Sequence, residues 1–154
     1  MGSYTQLAYH IIFGTKYRRP QLVKSLRDDL YEFFGGVLRR RGGRVMEIGG
    51  VEDHVHLLAT LSPRYAIADV IGETKGVTSN WMNDRKATQG KFRWQKGYGA
   101  FTVSYSAVDA VRKYIQGQEE HHLQQSFPDE FVEFLCRHDL DFQMERLFED
   151  EFFS

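Results

Sequence analysis

The stretch HVHLLATL, residues 54–61, has the clearest strand pattern in the chain. Its odd-numbered residues are all apolar, whereas the even-numbered ones include His54 and His56. Successive side chains of a strand point to opposite faces of a sheet. The pattern therefore predicts that the apolar residues pack beneath helices, while the two histidines stand side by side on the opposite, open face. At ~3.3 Å per residue along a strand, we expect the histidines roughly 7 Å apart.

Seven further segments flank this strand, and their order predicts the fold. Strands are marked by β-branched and aromatic residues, and helices by apolar residues recurring every three or four positions. The segments are a strand at 4–15, a helix whose first turn holds Pro20, a strand at 44–48, a helix capped by Ser62-Pro63, a strand at 100–105, and helices at 107–123 and 129–137. This order predicts an α+β, ferredoxin-like (RRM-like) split βαβ sandwich, in which two crossover helices cover one face of an antiparallel sheet. The opposite face is expected to be open unless something else covers it.

Length and composition favour one domain of ordinary globular character. The chain has 154 residues, of which 42% are hydrophobic and 27% charged. No apolar run approaches the ~18 residues that a spanning helix needs, and the start shows no signal-peptide pattern. The single cysteine, Cys136, cannot form a disulfide within the chain. We therefore expect a cytoplasmic protein with no membrane partner.

Charge is distributed unevenly along the chain. Residues 1–118 hold 18 Lys and Arg against 10 Asp and Glu, whereas residues 119–154 hold two against 11. A basic body suits a polyanionic partner, although a charge surplus also serves solubility. On charge alone, a nucleic-acid surface and a merely solvated surface both stay open.

A second group with chemical potential lies on the helix after the fourth strand. Tyr114 and Gln118 are four residues apart, so they share one helix face. A phenol can act as a covalent nucleophile, but its ordinary pKa near ~10 means that it needs help to lose its proton. A metal that polarises a phosphate would provide that help, with Gln118 as an oxygen ligand. Taken alone, the pair also fits a simple contact between helix and sheet.

The two groups together resemble a known family. The stretch DHVHLL (53–58) resembles the histidine–hydrophobic–histidine (HUH) motif, and Tyr114-x-x-x-Gln118 resembles the tyrosine helix of the single-tyrosine HUH transposases. These are the small transposases of single-strand insertion sequences, together with the REP-associated tyrosine transposases. Residues 9–18, 94–104 and 114–122, together with Ser126-Phe127, extend the likeness, which covers roughly residues 4–135 in the family's order and spacing.

The resemblance implies a specific reaction and a specific set of residues. It makes Tyr114 the nucleophile, and His54, His56 and Gln118 the ligands of a divalent cation, Mg²⁺ or Mn²⁺. Cleavage would leave a 5′-phosphotyrosine and a free 3′-OH. The 3′-OH of a second strand would then attack the phosphotyrosine and reverse the reaction at a new junction. The implied partners are single-stranded DNA with a hairpin at the element end and a second copy of the chain, as a homodimer. The transposase domain would span residues 1–124, and residues 125–154 would form an acidic helical extension of the same domain.

Basic and aromatic residues supply candidates for the DNA surface. Lysines and arginines would contact phosphates, and exposed aromatic rings would stack on unpaired bases. The predicted DNA-binding residues are Lys16, Tyr17, Arg18, Arg19, Arg39, Arg40, Arg41, Lys91, Arg93, Trp94 and Lys96. Arginines at a helix end also complement the helix dipole, so the 39–41 run has an ordinary structural explanation as well.

Two other functions stay open at this point. A catalytically inactive or domesticated module on the same scaffold would bind single-stranded nucleic acid on its sheet. A replication-initiator-like nicking enzyme would share the HUH chemistry, but such enzymes usually have a third histidine where this chain has Gln118. His121 and His122, one turn beyond Gln118, are left outside the predicted site.

Overall fold

The structure is a computed structural model, and it describes residues 1–148. Its strands are β1 (Ala8–Gly14), β2 (Arg44–Gly50), β3 (His54–Thr60) and β4 (Gly99–Val103). Its helices are α1 (Lys24–Arg40), α2 (Ile67–Asp84), α3 (Val108–Gln116), α4 (Gln118–His121), α5 (Phe127–Arg137) and α6 (Met144–Leu147). The last acidic and aromatic residues of the predicted extension, 149–153, lie outside the described residues.

The four strands form one antiparallel sheet in the order β2-β3-β1-β4. Both central strands, β1 and β3, pair along their whole length, with Gly14 opposite His54 and Ala8 opposite Thr60. The connections β1-α1-β2 and β3-α2-β4 are the two crossovers of the split βαβ arrangement. The predicted ferredoxin-like α+β fold is therefore confirmed.

The main core lies between the sheet and the two crossover helices. The alternating residues Val55 and Leu57 of β3 face this side, as do Ile11 and Phe13 of β1. They pack against the apolar faces of α1 and α2, where Phe34 is fully buried. Burial of such side chains is worth about 1.5–3 kcal/mol each, so this layer fixes which strand residues face the other way.

The opposite face of the sheet is covered, and the prediction of an open face is wrong. Helix α3 packs beside Leu58, and the aromatic residues Phe127 and Phe131 of α5 pack against Ile12 and its neighbours. The aromatic residues of the acidic C-terminal segment provide the apolar surface for this contact. As a result the two histidines of β3 are fully buried rather than exposed.

Three predicted boundaries change for local reasons. The helix expected over 107–123 is interrupted at Gly117 and forms α3 and α4. The Ser62 hydroxyl accepts a bond from the backbone N–H of Arg64 within a turn, so it does not cap α2, which begins at Ile67. Before α1, the N–H of Leu22 donates to the carbonyl of Glu52, which ties the segment after Pro20 to the β2–β3 turn and delays the helix to Lys24.

Within residues 1–148, every helix is too short or too polar to span a lipid bilayer.

Candidate active site

The two histidines of β3 lie together at the end of the sheet where β1 ends and β3 begins. Their ring centroids are 5.1 Å apart, and both side chains are fully buried. Both Nε2 atoms face the same carboxylate oxygen, Oε1 of Glu130, at 3.3 Å from His54 and 2.9 Å from His56. The alternation of β3 therefore brings two imidazoles to one point, as predicted.

The other ring nitrogen of each imidazole, Nδ1, has its own partner. Nδ1 of His54 lies 2.7 Å from Oδ1 of Asp53, and Nδ1 of His56 lies 2.8 Å from Nε2 of His10 on β1. A carboxylate can only accept, so His54 donates to Asp53 from Nδ1. Burial opposes protonation of His54, but its hydrogen bonds to Asp53 and Glu130 outweigh this effect and raise its pKa. The ring of Phe127 stacks on His54 at a centroid distance of 4.1 Å and an interplanar angle of 7°. These contacts fix the orientation of both rings.

Tyr114 and Gln118 reach the histidines from α3 and α4. Gln118 is buried, and its Oε1 lies 3.2 Å from Nε2 of His54. The Tyr114 hydroxyl donates to Oε2 of Glu130 and lies 3.3 Å from Nε2 of His121. The structure thus brings together all four residues predicted for the reaction centre, on three separate elements.

A glycine lets α3 approach the sheet this closely. A Cβ atom built on Gly49 of β2 would lie 2.4 Å from the carbonyl oxygen of Ile115. Ile115 directly follows Tyr114 and is itself buried. The absence of a side chain at position 49 therefore sets the depth at which the tyrosine helix docks.

Two residues of the cluster were not predicted from the sequence. Glu130 on α5 is 1% exposed and lies among the side chains of the two β3 histidines. His122, which follows α4, places Nε2 3.2 Å from Oε2 of Glu130. This Nε2 is buried yet makes no hydrogen bond of acceptable geometry. Proximity to Gln118 in the sequence could have drawn attention to His122, whereas Glu130 shows no local signal.

The site holds its acid ionised and its tyrosine protonated. Burial opposes ionisation of Glu130, but its contacts with the imidazoles of His122, His54 and His56 outweigh this effect and hold its pKa well below the usual range. Burial and the hydrogen bond to Glu130 both raise the pKa of Tyr114. Burial lowers the pKa of His56 to about 4, so that ring is neutral near pH 7.

The donor set fits a divalent cation. Single donor atoms of His54, His56, His122 and Glu130 all lie within 4.8 Å of one another. Neutral imidazole nitrogens and carboxylate or amide oxygens suit divalent first-row transition metals such as Mn²⁺. Mg²⁺ favours the oxygen donors. The buried Nε2 of His122, which lacks a hydrogen bond, is a further nitrogen available to such an ion. The residues present therefore fit the metal that the sequence resemblance implies.

The predicted DNA-binding residues fall into separate groups. Five of them, Lys16, Tyr17, Arg19, Lys91 and Arg93, line one surface depression. Backbone contacts hold the two segments together, because the N–H of Lys16 donates to the carbonyl of Arg93 at 2.9 Å. The Tyr17 ring has the Lys16 ammonium 5.3 Å and the Arg19 guanidinium 5.1 Å from its centroid. Exposed Arg18 and Lys96 lie on the same two segments.

The remaining candidates lie elsewhere. Arg39, Arg40 and Arg41 end α1, about 24 Å along the helix from its start at Lys24. That end of α1 lies beside Thr60, at the opposite end of β3 from His54. Trp94 is only 7% exposed, and its Nε1 donates to Thr78, so its ring faces are covered by core side chains. These four residues are not brought together with the reaction centre.

Comparison with known proteins gives the chain its family. The model of the family described as "Transposase IS200 like" matches residues 3–118, so the chain belongs to the IS200-like transposase family. The ISDra2 transposase TnpA of Deinococcus radiodurans is 31% identical over 124 residues, which are 77% of this chain and 89% of that protein. The transposase of insertion sequence IS200 from Salmonella typhimurium is 28% identical over 121 residues, 73% of this chain and 76% of its own.

Solved structures give the same fold. A crystal structure from Deinococcus radiodurans, of a protein described as a transposase, superposes with a TM-score of 0.62 at 28% identity and covers 77% of this chain and 95% of that one. A REP-associated tyrosine transposase, solved with a REP hairpin, superposes with a TM-score of 0.60 at 16% identity, covering 79% and 74%. The resemblance seen in the sequence is confirmed at the level of family and fold, and the family supports a transposase, a DNA-processing enzyme.

Proposed function

We propose that this protein cleaves and rejoins single-stranded DNA at insertion-sequence ends through a 5′-phosphotyrosine on Tyr114. The observation that carries the proposal is the convergence of Tyr114, Gln118, His54 and His56 around one buried point, although they come from three elements of the fold. A nucleophile beside a set of metal donors is the arrangement that phosphoryl transfer needs.

In the proposed reaction the Tyr114 oxygen forms a bond to phosphorus while the bond from phosphorus to the 3′ oxygen breaks. The tyrosine gives up its proton and the leaving 3′ oxygen takes one up. The reverse attack by the 3′-OH of another strand releases Tyr114 and seals a new junction. Because one phosphate ester is exchanged for another, no nucleotide cofactor is required.

His54, His56 and Gln118 would hold the divalent cation, which we propose to be Mg²⁺ or Mn²⁺. When bound, it supplies positive charge that stabilises the phosphate and the leaving oxygen. Asp53 and His10 keep the two imidazoles turned toward that position. Tyr114 and Gln118 lie on either side of the break at Gly117, and both contact Oε2 of Glu130.

We propose a DNA strand with a hairpin as the substrate. The relative of the same fold that was solved with a REP hairpin supports this class of ligand. The depression lined by Lys16, Arg19, Lys91 and Arg93 lies at the same end of the sheet as His54 and offers positive charge to the phosphate backbone.

We propose a homodimer as the active form, which light scattering of the purified chain would test.

The decisive experiment looks for a covalent protein–DNA adduct. Labelled single strands that cover both flanks of the gene, from both DNA strands, are incubated with the protein and Mg²⁺ or Mn²⁺ and run on a denaturing gel. A metal-dependent adduct is expected with the wild type and with Tyr105→Phe, an exposed tyrosine that serves as control. Tyr114→Phe should form none. DNA binding without any adduct would instead favour the catalytically inactive binding module, and an adduct that survives in Tyr114→Phe would refute the assignment of the nucleophile.

A further inference from the structure

We propose that Glu130 of α5 is an anionic ligand of the metal centre, in addition to His54, His56 and Gln118. The inference rests on the metal site of the proposed function and adds a residue from a helix that lies beyond the family match at residues 3–118. The C-terminal extension would then be a working part of the site rather than an appendage.

The distances are those expected between ligands of one ion. Oε1 of Glu130 lies 2.9 Å from Nε2 of His56 and 3.3 Å from Nε2 of His54. Adjacent ligands at ~2.1 Å from an octahedral ion are about 3 Å apart. Oε1 of Gln118, at 3.2 Å from Nε2 of His54, meets the same criterion. These distances fit one ion bound between Glu130 and the two histidines, with Gln118 beside His54.

The burial of Glu130 also suits a bound cation. Glu130 is 1% exposed, and every ion-pair partner that the structure shows for it within residues 1–148 is a histidine. A buried carboxylate is costly unless it is paired or binds a metal. A carboxylate oxygen is also the donor that Mg²⁺ and Mn²⁺ prefer, so a divalent ion is a suitable partner for Glu130.

The second carboxylate oxygen links the metal position to the nucleophile. Oε2 accepts the hydrogen bond of the Tyr114 hydroxyl and a bond of 3.1 Å from Nε2 of Gln118. With Oε1 on the ion, Glu130 would hold the tyrosine oxygen at a fixed separation from it. Glu130 is thus a metal ligand and, toward Tyr114, a positioning residue.

The cap and the packing of α5 fix the position of Glu130. The side chain of Ser126 caps α5 by accepting from the N–H of Asp129, and Phe127 stacks on His54 one turn before Glu130. Phe131, the next residue, packs into the same apolar cluster as Ile12 of β1. A carboxylate carried on a capped and packed helix is held in place in the way that a ligand requires.

The test measures Mn²⁺ binding to the full chain by titration calorimetry, in the absence of DNA. Glu130→Gln should weaken Mn²⁺ binding by about tenfold or more, since even indirect support of a ligand is worth 10–100-fold. Glu133→Gln, which changes a half-exposed carboxylate three residues further along the same helix, is the matched control and should bind like the wild type. Glu130→Asp keeps the charge but shortens the reach, so it should also bind more weakly; it replaces Glu130→Gln if that variant does not fold by circular dichroism.

Unchanged or tighter Mn²⁺ binding in Glu130→Gln would overturn the proposal and identify Glu130 as a side chain that merely occupies the cation's position. A wild type that binds no Mn²⁺ would overturn it as well. In either case the covalent-adduct assay with Tyr114→Phe still decides the proposed function by itself, so the two failures can be told apart.

Discussion

Nε2 of His10 lies 2.8 Å from Nδ1 of His56, and the two residues are on neighbouring central strands. For His56 to offer a lone pair on Nε2, its proton must sit on Nδ1 and be donated to His10. Burial lowers the pKa of His10 to about 3, so His10 is neutral near pH 7 and free to accept that bond. A neutral His10 therefore permits the tautomer of His56 that can bind a metal once a cation replaces the contact between Nε2 and Glu130.

Replacing His10 should weaken metal binding, although His10 is not itself a proposed metal ligand. His10→Phe keeps a ring in the buried position but removes the acceptor, so we expect Mn²⁺ affinity to fall about 10–100-fold. His10→Gln retains an acceptor oxygen and should recover part of the affinity. Titration calorimetry of the two variants beside the wild type tests this; equal affinities for His10→Phe and the wild type would refute the role.

The close approach of β2 to α3 predicts that two glycine-to-alanine substitutions have opposite effects on the free energy of unfolding. Gly49→Ala would drive its Cβ into the backbone of Ile115 and should cost about 1–3 kcal/mol of unfolding free energy. Gly72→Ala, on α2 with no atom within 4 Å of the added carbon, should stabilise by about 0.5–1 kcal/mol. Urea denaturation of both variants measures the difference, and a neutral Gly49→Ala would show that α3 can withdraw from the sheet.

The alternation of β3 was enough to predict which side the histidines face, because a strand has only two faces and the apolar residues occupy one of them. The spacing of Tyr114 and Gln118 likewise follows from helix geometry. Burial of the site could not be predicted in this way. It depends on α5 folding back over the sheet, which brings together residues that are more than 70 positions apart in the chain.

Glu130 illustrates the limit most clearly. In the sequence it is one acid among many in a negatively charged segment, and such residues usually face solvent. Only the docking of Phe127 and Phe131 turns this particular side chain inward. The arginine run 39–41 shows the converse, since the sequence marks it as basic but does not reveal that α1 carries it to the end of the sheet away from His54.

The separation of the basic residues gives a prediction for DNA binding. Lys91→Ala/Arg93→Ala should weaken single-stranded DNA binding and reduce the slope of log K against log salt by about 0.7 for each phosphate that is no longer neutralised. Arg39→Ala/Arg40→Ala removes the same charge from the opposite end of α1 and serves as the matched control. Fluorescence anisotropy with a labelled hairpin oligonucleotide over a salt series measures both. Equal weakening in the two double variants would point to nonspecific attraction instead of a defined surface.

The hydrogen bond between Tyr114 and Glu130 predicts how the nucleophile responds to charge. In the metal-free protein, burial and the neighbouring carboxylate both disfavour the phenolate, so the pKa of Tyr114 is raised. Glu130→Gln removes the negative charge and should lower the pKa of Tyr114 relative to the wild type. Mg²⁺ bound beside Glu130 should lower it in the wild type as well, because it offsets the same charge.

Carbon-13 resonances of ring-labelled tyrosine, followed over an alkaline titration, report this pKa directly, and Tyr114→Phe assigns the signal by its disappearance. The wild type should titrate at the highest pH, with Glu130→Gln and the Mg²⁺-bound wild type both displaced downward. If Mg²⁺ lowers the pKa in Glu130→Gln as much as in the wild type, the ion acts on Tyr114 independently of the carboxylate. If neither Glu130→Gln nor Mg²⁺ changes the pKa of Tyr114, burial alone keeps the hydroxyl protonated, and the charge of Glu130 has no effect on it.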